Sequence, residues 1–419
     1  MTPPARRSPS VPAEPPSPPS SPADDRWPVQ VVQAFPGHDG VLLGRTAARS
    51  ALFGANPAAG GDSVLIGSAA GPTPGSVRPR ALGELRERMG NVLAGRRAEA
   101  GADHPDAASL TGSFDALRRR GVPALDPAAL SPTGDLSTRA APMLWVFGES
   151  SAREAPVAVP AGTAYLRHRP PVGCAAPVRA GSTGLAAHRD REQAVRHAAW
   201  EVLERHLLWQ AWFGTATSVA PPSPPAPTTT VLDGLGLAVR LWAIAGPGRS
   251  VAVLAAVHTG GGHRASFGAR AAASDRDRVP AHAVEVAVYE ALMVRWSMGT
   301  PAAARSRAAL HAAGGVPADP VQHAVHAYDG GPAAIGHLDA RLGPRGAAEG
   351  DPGHPPAHPA PPDPVALLAE ATGRDVVVVD TGAPEAGDQR VVRVIAPGAR
   401  RLPSAPSDAP AGAPPHPFG

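Results

Sequence analysis

The chain has 419 residues, of which 52 are proline, 46 are glycine and one is cysteine, and its formal net charge is +3. It contains no lysine, and no basic run is dense enough to indicate a nucleic-acid-binding surface. The single cysteine, Cys174, excludes a disulfide within the chain and a zinc site built from several cysteines. The length suffices for one large domain or several smaller ones with a sizeable core.

Residues 1–26 are rich in proline and serine, so we predict a disordered N-terminal tail. This segment lacks the apolar core of a signal peptide, and no run of about eighteen apolar residues occurs in the chain. We therefore expect a cytoplasmic protein that does not associate with membranes.

The first half of the chain begins with short apolar runs separated by turns, which predict strands: VQVVQAF, GVLLG and SVLIGSA. A helix is predicted over 78–100, where Leu, Glu, Arg and Ala dominate. Residues 101–140 are predicted to be a polar connection with one short helix, SFDALRRRG. Two further strands are predicted in MLWVFG and APVAVPAGTAYL.

A second helix is predicted over 191–213, with acidic residues in its first turn. Residues 215–230 and 343–364 are rich in proline and are predicted surface loops. Between and after these loops the predicted elements are LAVRLWAIAG, SVAVLAAVHTG, the helix AHAVEVAVYEALMVRW, the helix PVALLAEATG, and the strands DVVVVDT and QRVVRVIAPG. Strands and helices do not alternate strictly, which predicts an α+β fold of repeated strand/helix units around mixed β-sheets.

Two predicted helices carry the same acidic pattern, Ala-x-x-Glu-x-x-Glu-Arg. Its acidic residues are Glu84, Glu87, Glu201 and Glu204. Residues three apart share one helix face, so each pair can converge on one point. Mg²⁺ prefers oxygen ligands and is commonly held by one or two carboxylates plus substrate phosphates. If the two helices face each other, four carboxylates suit two Mg²⁺ ions that bridge a triphosphate.

The alternative is a polar stripe in which Glu84 pairs with Arg88 and Glu201 pairs with Arg205 at i, i+4. The repetition of the pattern favours the metal hypothesis, because a solvent-facing stripe need not recur. A glycine-containing turn also precedes each helix, at 67–73 and 181–187. Backbone N–H groups in such turns can approach phosphate oxygens, although neither turn matches a Walker motif.

Three of these segments resemble the signatures of the YcaO family. GPTPGSVRPRALGELRER resembles the first, STGLAAHRDREQAVRHAAWEVLERH the second and HAVEVAVYEALMVR the third. VQHAVHAY and GRDVVVVDTGAPEAGDQRVVRVIAPGARRL are similar to later family segments, so the resemblance covers roughly residues 60–402. It implies a YcaO-like ATP-binding domain over 27–402, with a nucleotide site between helices.

The resemblance implies an ATP- and Mg²⁺-dependent cyclodehydratase. Such enzymes phosphorylate a backbone amide oxygen of a ribosomally made precursor peptide, and a Cys, Ser or Thr side chain then closes a thiazoline or oxazoline ring. The implied metal ligands are Glu84, Glu87, Glu201 and Glu204. The implied nucleotide contacts are Ser68, Arg88, Ser182, Arg205 and Glu290.

The C-terminal segment from Pro403 is proline-rich and contains Pro415-His416-Pro417-Phe418 before Gly419. This resembles the ending of azoline-forming members of the family, whose terminal carboxylate lies near the reaction centre. The resemblance implies catalytic roles for Pro417 and Gly419, with the Gly419 carboxylate as a base.

The sequence departs from the family signatures at five positions. Ala70 stands where the first signature has a lysine. In the second signature, Thr183 stands in place of an asparagine, His188 in place of a glycine and His206 in place of an aspartate. In the third, Met293 stands in place of a glutamine. Two alternatives therefore stay open: a catalytically weak scaffold that binds precursor peptide or a partner enzyme, and a thioamide-forming enzyme. No ThiF-like or peptide-recognition module is evident, so a separate partner is expected to bind the peptide leader. The sequence allows a homodimer without deciding the oligomeric state.

Overall fold

The computed structural model describes residues 26–56, 61–102, 109–153, 155–179, 181–274, 278–343 and 362–418. The predicted N-terminal tail up to residue 25, most of the predicted loop 343–364, and Gly419 lie outside the described residues. Within the described ranges the chain forms strands β1 to β13 and helices α1 to α11.

The first unit is a three-stranded antiparallel sheet covered by a long helix. Its elements are β1 (Gln30–Phe35), β2 (His38–Ser50), β3 (Ser63–Gly71) and α1 (Pro74–Ala100). The helix begins four residues before the predicted start at 78. The reason is that the side chain of Thr73 caps it by accepting from the Ser76 N–H, and Pro74 is tolerated in a first turn.

A second unit repeats this arrangement later in the chain. Its elements are β8 (Ser218–Val219), α6 (Ala226–Gly234), β9 (Ala238–Ala245), β10 (Ser250–Thr259), β11 (His263–Ala273) and α7 (Ala281–Ser297). The prediction of a surface loop over 215–230 was wrong in part, because β8 and the first half of α6 lie inside it, while residues 220–225 form no helix or strand. Proline near the start of α6 is compatible with a helix, and Thr228 and Leu232 are buried against the fold.

A third sheet joins the middle of the chain to its C-terminal part. Its strands are β4 (Ser109–Gly112), β5 (Met143–Ser150), β6 (Val157–Pro160), β7 (Leu185–His188), β12 (Val377–Asp380) and β13 (Arg390–Ile395), in the order β4-β5-β12-β13-β7 with β6 on β5. Where mixed sheets were expected, each pair of named strands is antiparallel. The strand predicted over APVAVPAGTAYL ends at Pro160, where the short helix α4 (Ala161–Ala164) follows.

The remaining helices cover the sheets or connect them. They are α2 (Phe114–Arg119), α3 (Pro127–Leu130), α5 (Arg191–Phe213), α8 (Pro301–Ala312), α9 (Pro320–Gly330), α10 (Pro332–Leu342) and α11 (Pro364–Thr372). The last four each begin with proline, which supplies a suitable φ angle at a position whose N–H needs no helical partner. Part of the high proline content therefore starts helices.

The α+β class predicted from the sequence is confirmed. Helix α1 packs on β3, α7 packs on β11 and β3, and α5 packs on β13, β7 and β11. The acidic helices thus link the three sheets, because α7 packs on the first and second sheets and α5 packs on the second and third. None of the described helices combines the length and the apolar character needed to cross a membrane.

Candidate active site

Four helical glutamates are each held by a backbone N–H of a neighbouring strand or turn. The donor–acceptor pairs are Ser68 N to Glu84 Oε2 at 2.5 Å, Gly184 N to Glu201 Oε2 at 3.0 Å, Ala271 N to Glu204 Oε2 at 3.0 Å, and Ala269 N to Glu290 Oε2 at 3.1 Å. Such bonds fix carboxylate orientation and leave the second oxygen of each group for another partner.

Two glycines allow the helices to approach the strands closely enough for these bonds. A Cβ added to Gly67 in β3 would lie 2.0 Å from the Ala81 carbonyl oxygen of α1. A Cβ added to Gly268 in β11 would lie 2.3 Å from the Ala287 carbonyl oxygen of α7. The residue directly after each glycine donates its backbone N–H to the glutamate. The same local arrangement therefore positions Glu84 and Glu290.

A cavity of about 220 Å³ lies between β3, α5, β11 and α7. It brings together five of the residues implicated by the sequence: Ser68, Glu201, Glu204, Arg205 and Glu290. The guanidinium groups of Arg80 and Arg270 also line it. Carboxylates and arginines therefore surround one space.

A second cavity of about 210 Å³ shares Glu201 and Arg205 with the first. Its other lining residues include Ser182 and five residues of the C-terminal segment: Pro403, Ser404, Asp408, His416 and Phe418. Helix α5 thus presents one glutamate and one arginine to two adjoining cavities.

The glutamates face one another in a poorly solvated place. Burial raises the pKa of Glu87 well above its usual value, and the carboxylates of Glu201 and Glu84 add to the rise. Burial likewise raises the pKa of Glu84 and that of Glu201. For Glu204, burial is the largest cause of a rise in pKa to about 7, and Glu290 contributes further. Burial, more than repulsion between the carboxylates, is thus the main reason why their ionised forms are disfavoured in the unliganded site.

Arg205 is the basic centre of this group. Burial opposes its charged form, but the carboxylates of Glu204, Glu290 and Glu201 outweigh burial and raise its pKa. Its Nε lies 3.7 Å from Glu204 Oε1. Arg205 thus pairs with Glu204, and its charge also acts on Glu201 and opposes the effect of burial on the pKa of that carboxyl.

Glu84 does form the i, i+4 pair expected of a polar stripe, since its Oε1 lies 2.5 Å from Arg88 Nη2. Arg88 also donates from Nη1 to the Ile66 carbonyl at 2.6 Å. Arg88 is thus engaged at the contact between α1 and β3, and it lines neither of the two cavities.

The described residues do not form a complete metal cage. No three His, Cys, Asp or Glu side chains among them are grouped closely enough to hold an ion unaided. Mg²⁺ is ordinarily bound through one or two carboxylates with phosphate and water completing its shell, so the donors present fit Mg²⁺ that arrives with a nucleotide.

Three arginines near the site were not predicted from the sequence. Arg80 donates from Nη1 to the Ala70 carbonyl at 2.9 Å, and Arg270 lines the first cavity. Arg393 is 1% exposed; it donates to the carbonyls of Gly181 and Thr183, in the turn before β7. Arg80 precedes Glu84 by four residues, so helix periodicity contained the information needed to find it. No sequence pattern marks Arg393.

The C-terminal segment lies against the second cavity. His416, Pro417 and Phe418 are buried, and the Trp212 indole donates to the Pro414 carbonyl at 2.9 Å. The Phe418 ring lies edge-on to that of Trp212, with centroids 6.3 Å apart. Gly419, the predicted base, lies outside the described residues, so its role stays a prediction.

Comparison with known proteins places these features in a family. The family model described as "YcaO cyclodehydratase, ATP- and Mg²⁺-binding" matches residues 68–400. An uncharacterised protein of Methanothermobacter thermautotrophicus is 33% identical over 81 residues, which are 19% of this chain and 21% of that protein. The sequence-based predictions of the family and of its cofactors, ATP and Mg²⁺, are confirmed by the family's description.

Solved structures share the fold. A heterocyclase in complex with substrate and cofactor has a TM-score of 0.56 and 17% identity, covering 90% of this chain and 50% of that one. YcaO from Methanopyrus kandleri bound with AMPPCP and Mg²⁺ has a TM-score of 0.54 and 21% identity, covering 88% and 86%. The E. coli microcin synthetase McbBCD complex has a TM-score of 0.55 and 12% identity, covering 88% and 87%. This chain thus spans about half the length of the heterocyclase and matches about a fifth of the archaeal protein.

Proposed function

The chain belongs to the YcaO family, and we propose that it is an ATP- and Mg²⁺-dependent cyclodehydratase that forms thiazoline or oxazoline rings in a ribosomally made precursor peptide. One observation supports this most: Glu201 and Arg205 line both the glutamate-rich cavity and the cavity beside the C-terminal segment. A reaction that joins a nucleotide phosphate to a peptide amide needs two adjoining compartments of this kind.

The first cavity is the proposed nucleotide compartment. Glu201, Glu204 and Glu290 would hold Mg²⁺ together with phosphate oxygens, and Arg80, Arg205 and Arg270 would contact the phosphates. Mg²⁺-ATP supplies the phosphoryl group when bound. Glu84 and Glu87 would add negative charge from α1, through the electrostatic contact of Glu87 with Glu201.

The second cavity is the proposed peptide compartment. A Cys, Ser or Thr side chain would give up its proton and add through sulfur or oxygen to the preceding backbone carbonyl carbon, and the amide oxygen would receive the terminal phosphoryl group of ATP while ADP leaves. The carbon–oxygen bond then breaks, phosphate leaves with that oxygen, and the amide nitrogen loses its proton to form the ring double bond. Ser182 and Arg205 would orient the peptide, and the C-terminal segment would exclude water.

The scaffold hypothesis was based partly on the lysine missing at residue 70. Arg80 supports the enzyme instead, because its guanidinium donates to the Ala70 carbonyl and lines the nucleotide cavity. Arg80 thus supplies a cation next to the position at which the family signature has a lysine. For a thioamide-forming enzyme the seated C-terminal segment has no evident purpose, which favours ring formation.

Peptide recognition is proposed to require a partner protein. This chain covers half of the heterocyclase that is solved with substrate and cofactor, and the similar microcin synthetase is a complex. A separate protein would then bind the leader of the precursor peptide and deliver its core to the second cavity.

The test is a reaction with Mg²⁺-ATP and a panel of Cys-, Ser- and Thr-containing peptides whose backbone amides carry oxygen-18. We expect mass spectrometry to show loss of one water per ring and the heavy oxygen to appear in phosphate. Glu192→Gln, an exposed change on α5, should react like the wild type, whereas Glu201→Gln should not. ATP turnover that leaves every peptide mass unchanged, or that exchanges oxygen for sulfur, would contradict the proposal.

A further inference from the structure

Two stacked histidines anchor the C-terminal segment. The rings of His323 on α9 and His416 lie 3.9 Å apart, centroid to centroid, with planes inclined by 3°. Their residues are 5% and 3% exposed, respectively. His416 lines the second cavity beside Glu201 and Arg205, so this pair determines where the segment enters the site.

Hydrogen bonds define the protonation state of each ring. Nδ1 of His323 lies 3.0 Å from the carbonyl oxygen of His416, so it must carry the proton and donate. Nε2 of His416 donates to the Pro403 carbonyl at 2.7 Å, and its Nδ1 accepts from the Phe418 N–H at 3.2 Å. A second proton on His416 would be carried by Nδ1, where it would point at the N–H of Phe418, and two donors cannot form a hydrogen bond with each other. The seated arrangement therefore requires a neutral His416.

We infer that His323 and His416 form an acid-sensitive latch, in which the neutral pair seats residues 416–418 in the cavity beside Arg205 and protonation of His416 releases them. His323 is a positioning residue in this account, since it holds His416 by stacking and by one hydrogen bond. The consequence for catalysis rests on the proposed function, whereas the release of the segment does not.

The surroundings of both rings disfavour an added charge. Burial lowers the pKa of His416 to about 3, with His323 and Arg205 adding to the effect and the Pro403 carbonyl opposing it. Burial also lowers the pKa of His323; the carbonyls of His416 and Ser404 oppose this, His326 supports it, and Asp319 opposes it.

The sign of the pH dependence follows from these directions. A released histidine has its usual pKa of 6.5, while His416 in the seated segment stays neutral down to about 3. The equilibrium constant that favours the seated over the released segment is thus at its maximum above about pH 6.5. It falls by up to tenfold for each pH unit below that value, until about pH 3. At about pH 5 the segment should be released roughly 30-fold more often than at about pH 7.5.

Hydrogen exchange of the whole protein, read by mass spectrometry on the segment that contains Phe418, measures this release directly. After correction for the intrinsic exchange rate, wild-type protection should fall roughly 30-fold from about pH 7.5 to about pH 5. His416→Gln keeps a donor for the Pro403 carbonyl and cannot titrate at residue 416, so its protection should be lower and should depend much less on pH, with only His323 left to titrate. His311→Asn, an exposed change on α8, should behave like the wild type.

Two variants separate the contributions of His323. His323→Phe keeps the stacked ring without the donor, and His323→Asn keeps a donor without the ring; both should lower protection at about pH 7.5. Equal wild-type protection at the two pH values would overturn the inference. So would a wild-type-like pH dependence in His416→Gln, or unchanged protection in both His323 variants. Because no substrate is needed, a failure of the proposed function leaves this result readable.

Discussion

The N–H of Gly184 donates to the carboxylate of Glu201 at 3.0 Å and ties helix α5 to the turn that borders the second cavity. Gly184 has a φ of 82°, and a Cβ there would lie 2.5 Å from the Val394 carbonyl oxygen. The turn therefore requires glycine. The backbone N–H groups of Ser68 and Ala269 bind Glu84 and Glu290 in the same way. Backbone donors thus fix a carboxylate on each of the three acidic helices α1, α5 and α7.

Gly67→Ala should destabilise the protein by about 1–3 kcal/mol, because the added methyl group meets the backbone of α1 at Ala81 and Leu85. The displaced helix should also weaken the bond between Ser68 and Glu84. Urea unfolding measures the change. The matched control is Gly83→Ala within α1, where no atom lies within 4 Å of the new methyl group. That variant should gain up to about 1 kcal/mol from helix propensity; equal effects of the two changes would contradict the close-approach argument.

Binding of Mg²⁺-ATP should release protons below about pH 7. Glu204 in the folded protein has a pKa of about 7, against its usual 4.5, and a metal ligand must be deprotonated. The unliganded protein should accordingly lose stability as pH rises from about 4.5 to about 7, since its folded state binds the extra proton.

Calorimetry in buffers of different ionisation enthalpy at about pH 6.5 and about pH 8.5 counts the released protons. We expect release at the lower pH only, with apparent affinity falling as pH falls. In Glu204→Gln this pH dependence should shrink. Proton release of the same size at both pH values would argue against a glutamate with a raised pKa at the site.

Arg393→Met should destabilise the protein by about 1–3 kcal/mol, because the backbone carbonyls of Gly181 and Thr183 lose a buried donor. Relief of the desolvated charge offsets part of this cost, since burial lowers the Arg393 pKa to about 9. Urea unfolding is again the measurement. Arg390→Met, an exposed change on the same strand, should be nearly neutral; a neutral Arg393→Met would show that the turn does not depend on this arginine.

The sequence was most informative where local chemistry determines structure. The predicted helix 191–213 is α5, because Asp190 caps its start by accepting from the Glu192 N–H and Glu192 complements the helix dipole. Over residues 215–230, proline predicts a loop, but proline is also found where a helix begins. Burial of residues such as Leu232 decides that α6 forms here, and the local sequence does not show that burial.

The residues of the candidate site also differ in whether the sequence alone could identify them. Ser68, Glu201 and Glu290 lie on or beside recognisable helical signatures and do share a cavity. Arg270 and Arg393 lie on strands without such patterns, and their partners come from distant segments that meet only in the folded chain. In a sequence whose cations are all arginine, composition gives no reason to single them out.

Phe418→Ala should leave Mg²⁺-ATP binding within about twofold of the wild type and slow ring formation by about a hundredfold, because a misplaced segment no longer closes the peptide compartment. Phe418 is 4% exposed and contacts the rings of Trp212 and Phe267, so its removal unseats the segment without touching the glutamates. Ring formation and nucleotide binding are measured separately. Leu136→Ala, at an exposed position, is the control; equal losses in both assays would contradict two separable compartments.

The most direct test is calorimetric titration of ATP into the protein with and without Mg²⁺, on the wild type and on the double variant Glu201→Gln, Glu204→Gln. Both carboxylates line the first cavity, so the double variant should lose Mg²⁺-dependent binding, whereas Glu192→Gln at the exposed start of α5 should retain it. If the folded double variant binds Mg²⁺-ATP as tightly as the wild type, the glutamate-lined cavity is not the nucleotide site.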